Sequence, residues 1–434
     1  MNRQIVRLAL PNIVTNITVP LLGIVDLALM GHLDDPVYIG AIALGSTIFN
    51  VIYSGFSFLR MGSSGMTSQA YGADKREEVS LVLQRSLLLG LALALAIILL
   101  QYPIQWAAFK LLDGSHNVKL LARQYFYIRI LAAPATLGLY AFYGWYLGVQ
   151  NAVIPMILAI VVNVVNIALN FLFVHGFGMT SDGVAWASVI AQYSGLLLAG
   201  FFFLMRYKQY HIRFSFNRIV ETRALKRFFG VNGDIFIRTI MLWFVLAFFT
   251  SRSAKAGNNI LAVNTLLFQL FYFFSYFADG FAYAAEALTG KAKGAHKLDE
   301  MKAVIKSVFR WGWVIALSFT LIYGFGLNPI MKILSDNQLI LSMAKPYYFW
   351  IIIMPLISIA AFNWDGIFIG ATASRAMRNI SIIVSLLVFL PAYYLTHTIW
   401  GNHGLWFAFD MFMIARGIGM WFYAKRGVLQ KEVV

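Results

Sequence analysis

The sequence predicts an all-α polytopic membrane protein whose twelve transmembrane helices form two pseudo-symmetric six-helix lobes. Of its 434 residues, 60% are hydrophobic and only 12% are charged, and the mean hydropathy is +0.73. Soluble domains carry about 25% charged residues, and a globule of this size cannot bury so much apolar surface in one core. Twelve apolar segments and an internal repeat complete the prediction.

Each apolar segment is long enough to cross a membrane as a helix, which takes about 20 residues. Leu, Ala, Phe and Gly dominate without a period of two, which excludes a transmembrane β-barrel. The first segment follows two Arg residues and has no small-residue cleavage site, so we interpret it as a retained span. The segments lie at 7–30, 37–62, 79–102, 120–147, 153–174, 183–205, 228–250, 258–283, 303–327, 340–362, 376–396 and 403–424.

The Lys and Arg residues are distributed unevenly between the two sides of the membrane. With the N-terminus inside, the cytoplasmic segments hold Arg3, Arg7, Lys75, Arg76, Arg206, Lys208, Arg213, Arg218, Arg223, Lys226, Arg227, Lys291, Lys293, Lys297, Lys302, Lys306, Arg310, Arg375, Arg378, Lys425, Arg426 and Lys431. The opposite loops hold Lys110, Lys119, Arg252, Lys255, Lys332 and Lys345. This positive-inside bias predicts a multi-pass protein of the cell membrane with both termini in the cytoplasm. The net charge of +16 then reflects topology and contact with anionic lipids, and no nucleic-acid partner is expected.

The chain also repeats itself at one offset. The string TSQAYGADKREE after the second span matches TGKAKGAHKLDE after the eighth, and two glycines near the end of span 4 match two near the end of span 10. The identical pairs are Thr67 with Thr289, Ala70 with Ala292, Gly72 with Gly294, Ala73 with Ala295, Lys75 with Lys297, Glu78 with Glu300, Gly144 with Gly366 and Gly148 with Gly370. Because six spans separate equivalent positions, the halves are expected to lie parallel in the membrane. The predicted lobes are 1–205 and 228–434, joined by a basic cytoplasmic linker at 206–227.

Five strings in order resemble the multidrug and toxic compound extrusion (MATE) family, and within it the branch typified by the DNA-damage-inducible protein F. They are GIVDLALMGHL in span 1, SGMTSQAYGA after span 2, VNGDIFIRT entering span 7, YFADGFAYAAEALTG in span 8 and DGIFIGATASRAMRN after span 10. The resemblance implies two six-helix lobes around a cleft that opens to alternate sides. It also implies that a monomer without cofactors exports amphipathic, often cationic, drugs and toxins against inward proton or sodium flow.

Asp26 is the leading candidate for ion coupling. It lies deep in span 1 with no Lys or Arg within one helical turn, and ionisable groups inside spans are rare because desolvation is costly. The span-1 acid of the family falls at this position, and the resemblance assigns it the coupling role. The alternative is a structural carboxylate that never changes its protonation.

Three amides in span 5 share one helical face, because Asn163, Asn166 and Asn170 are three and four residues apart. They either line a site or form hydrogen bonds between helices. In sodium-binding members of the family, span 1 supplies an Asp, span 5 an Asn and an Asp, and span 6 a Thr. The resemblance maps these onto Asp26, Asn166, Asn170 and Ser188. With an amide in place of the second acid, any sodium site here is weak and the proton is the favoured coupling ion; no other metal site is expected.

Pro11 and Pro20 lie in the same predicted span as Asp26. Each removes one backbone hydrogen bond and permits a kink, and Pro11 matches the span-1 proline of the family. A kinked helix with a titratable group is a plausible two-state element. The alternative is a static kink required for packing.

The second half carries acids of its own within or near its spans. They are Asp234, Asp279, Glu286, Asp365 and Asp410. Asp234 is four residues from Arg238, so the two are expected to pair on one helix. Asp279 and Glu286 are seven apart on one face, and Asp365 matches a functional span-10 acid of other family branches. We rank Asp234, Asp279, Glu286 and Asp365 as secondary candidates for substrate or proton binding.

Alternative functions are less compatible with the sequence. A membrane-embedded enzyme is disfavoured because the chain has no HExxH, GxSxG or P-loop string. A channel is disfavoured because two repeated lobes suit alternating access. A flippase for lipid-linked oligosaccharides is the nearer rival, and it requires converging cationic side chains to hold pyrophosphate. The membrane-depth cations are few, namely Arg60, Arg129, Arg238 and Arg416.

The topology is testable because the chain has no native cysteine. We expect Arg213→Cys, in the linker, to resist an impermeant maleimide added to intact cells and to react after lysis. Asp113→Cys, in a predicted outer loop, is the matched control and should react in intact cells. Labelling of position 213 from outside would contradict cytoplasmic placement of the linker.

Overall fold

The computed structural model describes the backbone of residues 1–30, 37–211 and 216–429, and the side chains of these ranges except at 19, 21–30 and 216. The regular structure of these ranges is helical throughout, without a β-strand. Eleven helical segments of the described chain are long and apolar enough to cross a membrane. The first helix has 29 residues, which makes it about 43 Å long at 1.5 Å per residue. The predicted all-α, polytopic membrane fold is confirmed.

The described chain divides into two compact units. The first unit is Val14–Phe228 and the second unit is Met1–Ile13 together with Phe229–Val434. Helix α1 (Asn2–Met30) therefore contributes its beginning to the second unit and the remainder to the first.

Among its described residues, the first unit contains nine further α-helices in chain order. They are α2 (Val37–Gly55), α3 (Phe58–Gly72), α4 (Arg76–Leu99), α5 (Gln101–Leu111), α6 (His116–Arg129), α7 (Ala133–Gly148), α8 (Val153–Phe171), α9 (Ser181–Arg206) and α10 (Phe216–Ile219). Helices α2 and α3 form one continuous span, and so do α6 and α7. Each predicted apolar segment of this half thus corresponds to one long helical segment.

The described part of the second unit has a similar series of long helices, and the first of them begins at Thr222, inside the first unit. They are α11 (Thr222–Lys255), α12 (Asn258–Gly294), α13 (Leu298–Leu334), α14 (Gln338–Ala344), α15 (Tyr348–Gly370), α16 (Ser374–Val384), α17 (Leu390–Trp400) and α18 (Asn402–Tyr423). Helices α14 and α15 join into one span, as do α16 and α17 through a π-helical turn at Ser385–Phe389.

Several helices extend well beyond the apolar segments that predict them. Helix α3 ends at Gly72 and α12 ends at Gly294, each about ten residues past the predicted span. The repeated strings therefore begin inside helices. Both helices end with the same cap, because Asp74 has φ of 52° and His296 has φ of 55°. A left-handed residue just after a helix allows the last carbonyls to accept hydrogen bonds from the following backbone N–H groups.

Glycine permits backbone-to-backbone contact between two helices in each unit. A Cβ at Gly144 of α7 would lie 2.2 Å from the Arg60 carbonyl oxygen of α3. A Cβ at Gly366 of α15 would lie 2.1 Å from the Ala282 carbonyl oxygen of α12. Small residues let membrane helices approach closely and gain van der Waals contact. Residues 60 and 282 are related by the same offset as the two glycines, so the internal repeat is confirmed as a repeat of structure.

The beginning of α1 packs on the second unit through another glycine. A Cβ at Gly280 of α12 would lie 2.3 Å from the Ile13 side chain and 3.1 Å from the Ala9 carbonyl oxygen. Ala9 is fully buried and Ile13 nearly so. The first turns of α1 are therefore held by the second unit.

A buried arginine anchors the linker to the first unit. Arg85 of α4 is 3% exposed and donates hydrogen bonds to the carbonyl oxygens of Ile219 and Arg218 at 3.2 and 3.0 Å. Its third bond goes to Glu78 Oε1 at 2.8 Å. These carbonyls end helix α10, where a cation is favourable.

We expect Gly366→Ala to destabilise the protein by about 1–3 kcal/mol, the range for overpacking a tight interior. The added methyl group meets a backbone carbonyl, which cannot move without shifting α12. Gly324→Ala is the matched control, because nothing lies within 4 Å of its added Cβ. Thermal unfolding of the detergent-solubilised variants measures both effects, and equal midpoints would contradict the close contact.

Candidate functional site

The first unit contains a buried chain of amide and hydroxyl groups between α8 and α9. Asn170 Nδ2 donates to Asn166 Oδ1 at 2.8 Å, and Asn166 Nδ2 donates to Ser188 Oγ at 2.9 Å. Asn166 and Asn170 are fully buried and Ser188 is 4% exposed. The structure thus brings together three of the residues that the sequence singled out.

The third amide of the span-5 face connects α8 to α1. Asn163 is half-buried, and its Nδ2 donates to the carbonyl oxygen of Thr18 at 2.8 Å. The amide face of α8 is therefore used on two sides, toward α9 by Asn166 and toward α1 by Asn163. Both bonds lie within the first unit.

Asp26, Pro11 and Pro20 all belong to α1. Asp26 is a residue of this helix, and its side chain lies outside the described residues. The helix runs without a break through Pro11 and Pro20, which are both half-buried.

An acid and two arginines form a buried cluster in the second unit. Asp365 Oδ2 of α15 accepts from Arg416 Nη2 of α18 at 2.6 Å and also from Arg238 Nη2 of α11. The three side chains are between 5% and 10% exposed. Asp279 of α12 is half-buried and lies within electrostatic range of Arg416. The carboxylate of Asp365 therefore accepts hydrogen bonds from both guanidinium groups.

The predicted pairing of Asp234 with Arg238 is wrong. Asp234 instead accepts from Arg378 Nη1 at 2.5 Å and from Ser374 Oγ at 2.8 Å, both on α16. Arg238 instead donates a hydrogen bond to Asp365. An ion pair between neighbouring turns of one helix stabilises it by only a few tenths of a kcal/mol. Partners on neighbouring helices therefore replace it easily.

Glu286 lies on α12 and is fully buried. Its carbonyl oxygen is 2.2 Å from the Cβ that Gly370 lacks, so α15 packs directly on this turn. Glu286 and Asp279 are on the same helix, as predicted from their spacing.

Asp410 on α18 is the acid to which sequence reasoning gave no role. It is 3% exposed, and neither carboxylate oxygen has a hydrogen-bond partner among the described residues. One signal in the sequence could have found it, because Asp410 lies 222 residues after Ser188, the same offset that separates Gly144 from Gly366.

Comparisons with known proteins converge on one family. The sequence model of the MatE family matches residues 11–172 and 235–394. The chain is 38% identical over 416 residues to the DNA damage-inducible protein F of Escherichia coli K12. The aligned region covers 95% of this chain and 90% of that protein. It is 26% identical over 311 residues to human multidrug and toxin extrusion protein 1. This aligned region covers 69% of this chain and 52% of that protein. The crystal structure of a Vibrio cholerae MATE transporter in the bent form has a TM-score of 0.87 at 17% identity, over 98% of this chain and 96% of that one.

We expect Asp365→Asn to destabilise the protein by about 3–5 kcal/mol, since removing one partner of a buried ion cluster leaves the remaining charges uncompensated. Asp336→Asn, at an exposed position, is the matched control and should change the free energy of unfolding by less than about 0.5 kcal/mol. Thermal unfolding in detergent, followed by tryptophan fluorescence, measures the difference. Equal stability of the two variants would contradict a structural role for the cluster.

Proposed function

We propose that this chain, which belongs to the MatE family and is therefore a membrane transporter and not an enzyme, exports amphipathic organic cations in exchange for protons. The human relative is named for multidrug and toxin extrusion. We extend that substrate class to this chain, and we take the route to be alternating access between lobes at 1–205 and 228–434. Membrane lipids are its only other expected contacts.

The observation that carries the proton assignment is the amide–hydroxyl chain of Asn170, Asn166 and Ser188. Asn166 Oδ1 and Ser188 Oγ each already accept a hydrogen bond from a neighbouring amide. A hard metal cation prefers several oxygen ligands, with carboxylates among them. A cluster in which two of the three side-chain oxygens already accept from N–H groups suits a single carboxylate that takes up a proton.

Helix geometry supports Asp26 as that carboxylate. The bond from Asn163 to the Thr18 carbonyl sets α1 and α8 side by side. Spans 1 and 5 are both odd-numbered, so in the proposed topology they run in the same direction. Asp26 lies about 12 Å beyond Thr18 along α1, and Asn170 about 10 Å beyond Asn163 along α8. In the proposed topology, Asp26 and Asn170 are therefore at a similar distance along their helices from the Asn163–Thr18 bond.

The flippase alternative requires free cationic groups that converge on a pyrophosphate. Arg238 and Arg416 are instead bound to Asp365, and the Arg129 guanidinium lies over the rings of Phe49 and Tyr53, 5.7 and 5.8 Å from their centroids. Because three of the four membrane-depth arginines are engaged in this way, we favour export of cations over export of a lipid-linked phosphate.

We expect Asp26→Asn to reach the membrane and lose coupled export, because an amide preserves the shape of the side chain but exchanges no proton. Asp26→Glu should retain part of the activity. The measurement is efflux of ethidium from proteoliposomes driven by an imposed pH gradient, normalised to the reconstituted protein. A sodium gradient at constant pH should drive little efflux by the wild type.

The same assay contains the control and the contradicting outcomes. Asn170→Asp restores a second acid and should increase the response to sodium. Near-normal efflux by Asp26→Asn would assign the coupling role to another acid, and efflux driven by sodium alone would contradict the proton assignment.

A further inference from the structure

The internal repeat assigns a counterpart in the second unit to each ion-coupling candidate of the first unit. The offset is 222 residues, and it also relates the two left-handed residues Gln150 and Thr372, with φ of 68° and 49°. Helix α9 begins at Ser181 and α18 at Asn402, so their starts agree within one residue at this offset. The counterparts of Asp26, Asn163, Asn166, Asn170 and Ser188 are Phe248, Ser385, Val388, Ala392 and Asp410.

The second unit therefore differs in chemistry at the equivalent place. The span-1 acid and two amides become apolar, whereas the hydroxyl of Ser188 becomes the carboxylate of Asp410. Ser385, in place of Asn163, keeps a hydroxyl that is fully buried and has no hydrogen-bond partner among the described residues. One acid and one hydroxyl remain where the first unit has an amide cluster.

Asp410 has no counter-charge in the described structure. The charged and titratable side chains of α18 and of the helices packed on it are engaged with other groups or exposed. These groups are Asp365 with Arg238 and Arg416, Asp279 near Arg416, Arg378 with Asp234, Arg252 with Tyr394, Tyr393 beneath Arg252, His397 with the Tyr393 carbonyl, His403 with Trp350, Lys425 over Trp421, and the exposed Arg375 and Arg426. The flanking Phe409 and Phe412 are buried among other aromatic rings.

An ionised carboxylate in such surroundings is unfavourable, since neither a hydrogen bond nor an opposite charge replaces its water. A protonated carboxyl is neutral and tolerates burial far better. One carboxylate and one hydroxyl are too few oxygen ligands for a metal cation. The chemistry of the site therefore suits a proton.

The backbone is irregular at Ser385 itself, whereas in the first unit the π-helical turn Leu172–Gly176 begins only after Asn170. Ser385 begins the π-helical turn Ser385–Phe389, and Pro391 follows in the first turn of α17. The equivalent residues 163–167 of the first unit are regular α-helix. Single π-helical turns often mark functional sites, because they interrupt the regular hydrogen-bond ladder.

We propose that Asp410 is a second proton-binding site of the transporter, placed in the second unit where the repeat places Ser188 in the first. Its exchange with water during transport rests on the proposed proton-coupled function, but its protonation in the resting protein does not. Asp26 and Asp410 would then carry one proton in each half of the repeat.

Infrared spectroscopy of the reconstituted protein tests protonation directly. We expect a carbonyl stretch of a protonated carboxyl at neutral pH that disappears in Asp410→Asn and, independently, in Asp410→Ser, which introduces the residue of the first unit. Asp336→Asn is the matched control and should leave the band unchanged. A spectrum that is the same in wild type and in both Asp410 variants would overturn the proposal.

Proton counting separates this proposal from the proposed function. During ethidium efflux from proteoliposomes, Asp410→Asn should exchange fewer protons per ethidium than the wild type, and the infrared band should change when ethidium is added. An unchanged proton ratio would overturn the assignment of Asp410 as an exchanging site. If ethidium is not transported but the band is present and decreases as the pH is raised, the proton site stands and the proposed substrate class fails.

Discussion

A polar side chain buried inside a membrane-spanning helix has no water to bond, so its partner must come from the protein, either from its own helix or from a neighbouring one. This constraint accounts for most of the buried polar contacts described above. Asn163 bonds the backbone of α1, Asn166 bonds Ser188 of α9, and Asp365 joins α15 to α11 and α18. Each contact satisfies a buried group and at the same time fixes the position of one helix relative to the next. Asp410 differs, because neither of its carboxylate oxygens has a hydrogen-bond partner among the described residues.

Close helix contact makes these bonds possible. The glycines of α7 and α15 let each helix touch the backbone of its neighbour, with Gly144 on Arg60 and Gly366 on Ala282. Because both contacts recur at one offset, each unit is assembled by the same geometry. The side chains carried on that common frame then differ, and the two units have different chemistry at equivalent positions.

The difference between the units bears on transport. The first unit concentrates amides and a hydroxyl where the second has Asp410, and among the described residues of the second unit Asp234 and Asp365 are paired with arginines. Helix α1 belongs to both, because its first thirteen residues pack with the second unit and its later residues with the first. In the proposed mechanism, protonation of Asp26 would act on a helix whose residues are divided between the two units.

The sequence by itself determined the approximate number and place of the spans, the repeat, the family and the amide face of α8. These follow from hydropathy, spacing and short strings, which are local properties of the chain. Only the tertiary structure decided which partner each polar group takes. Asp234 bonds Arg378 on another helix and not Arg238 on its own, and Arg85 binds the end of α10, more than 130 residues away. Asp410 is likewise one acid among several in the sequence, and becomes distinct because folding removes it from water without supplying a partner. Such partners depend on which helices pack together, and the periodicity of a single helix carries no information about its neighbours.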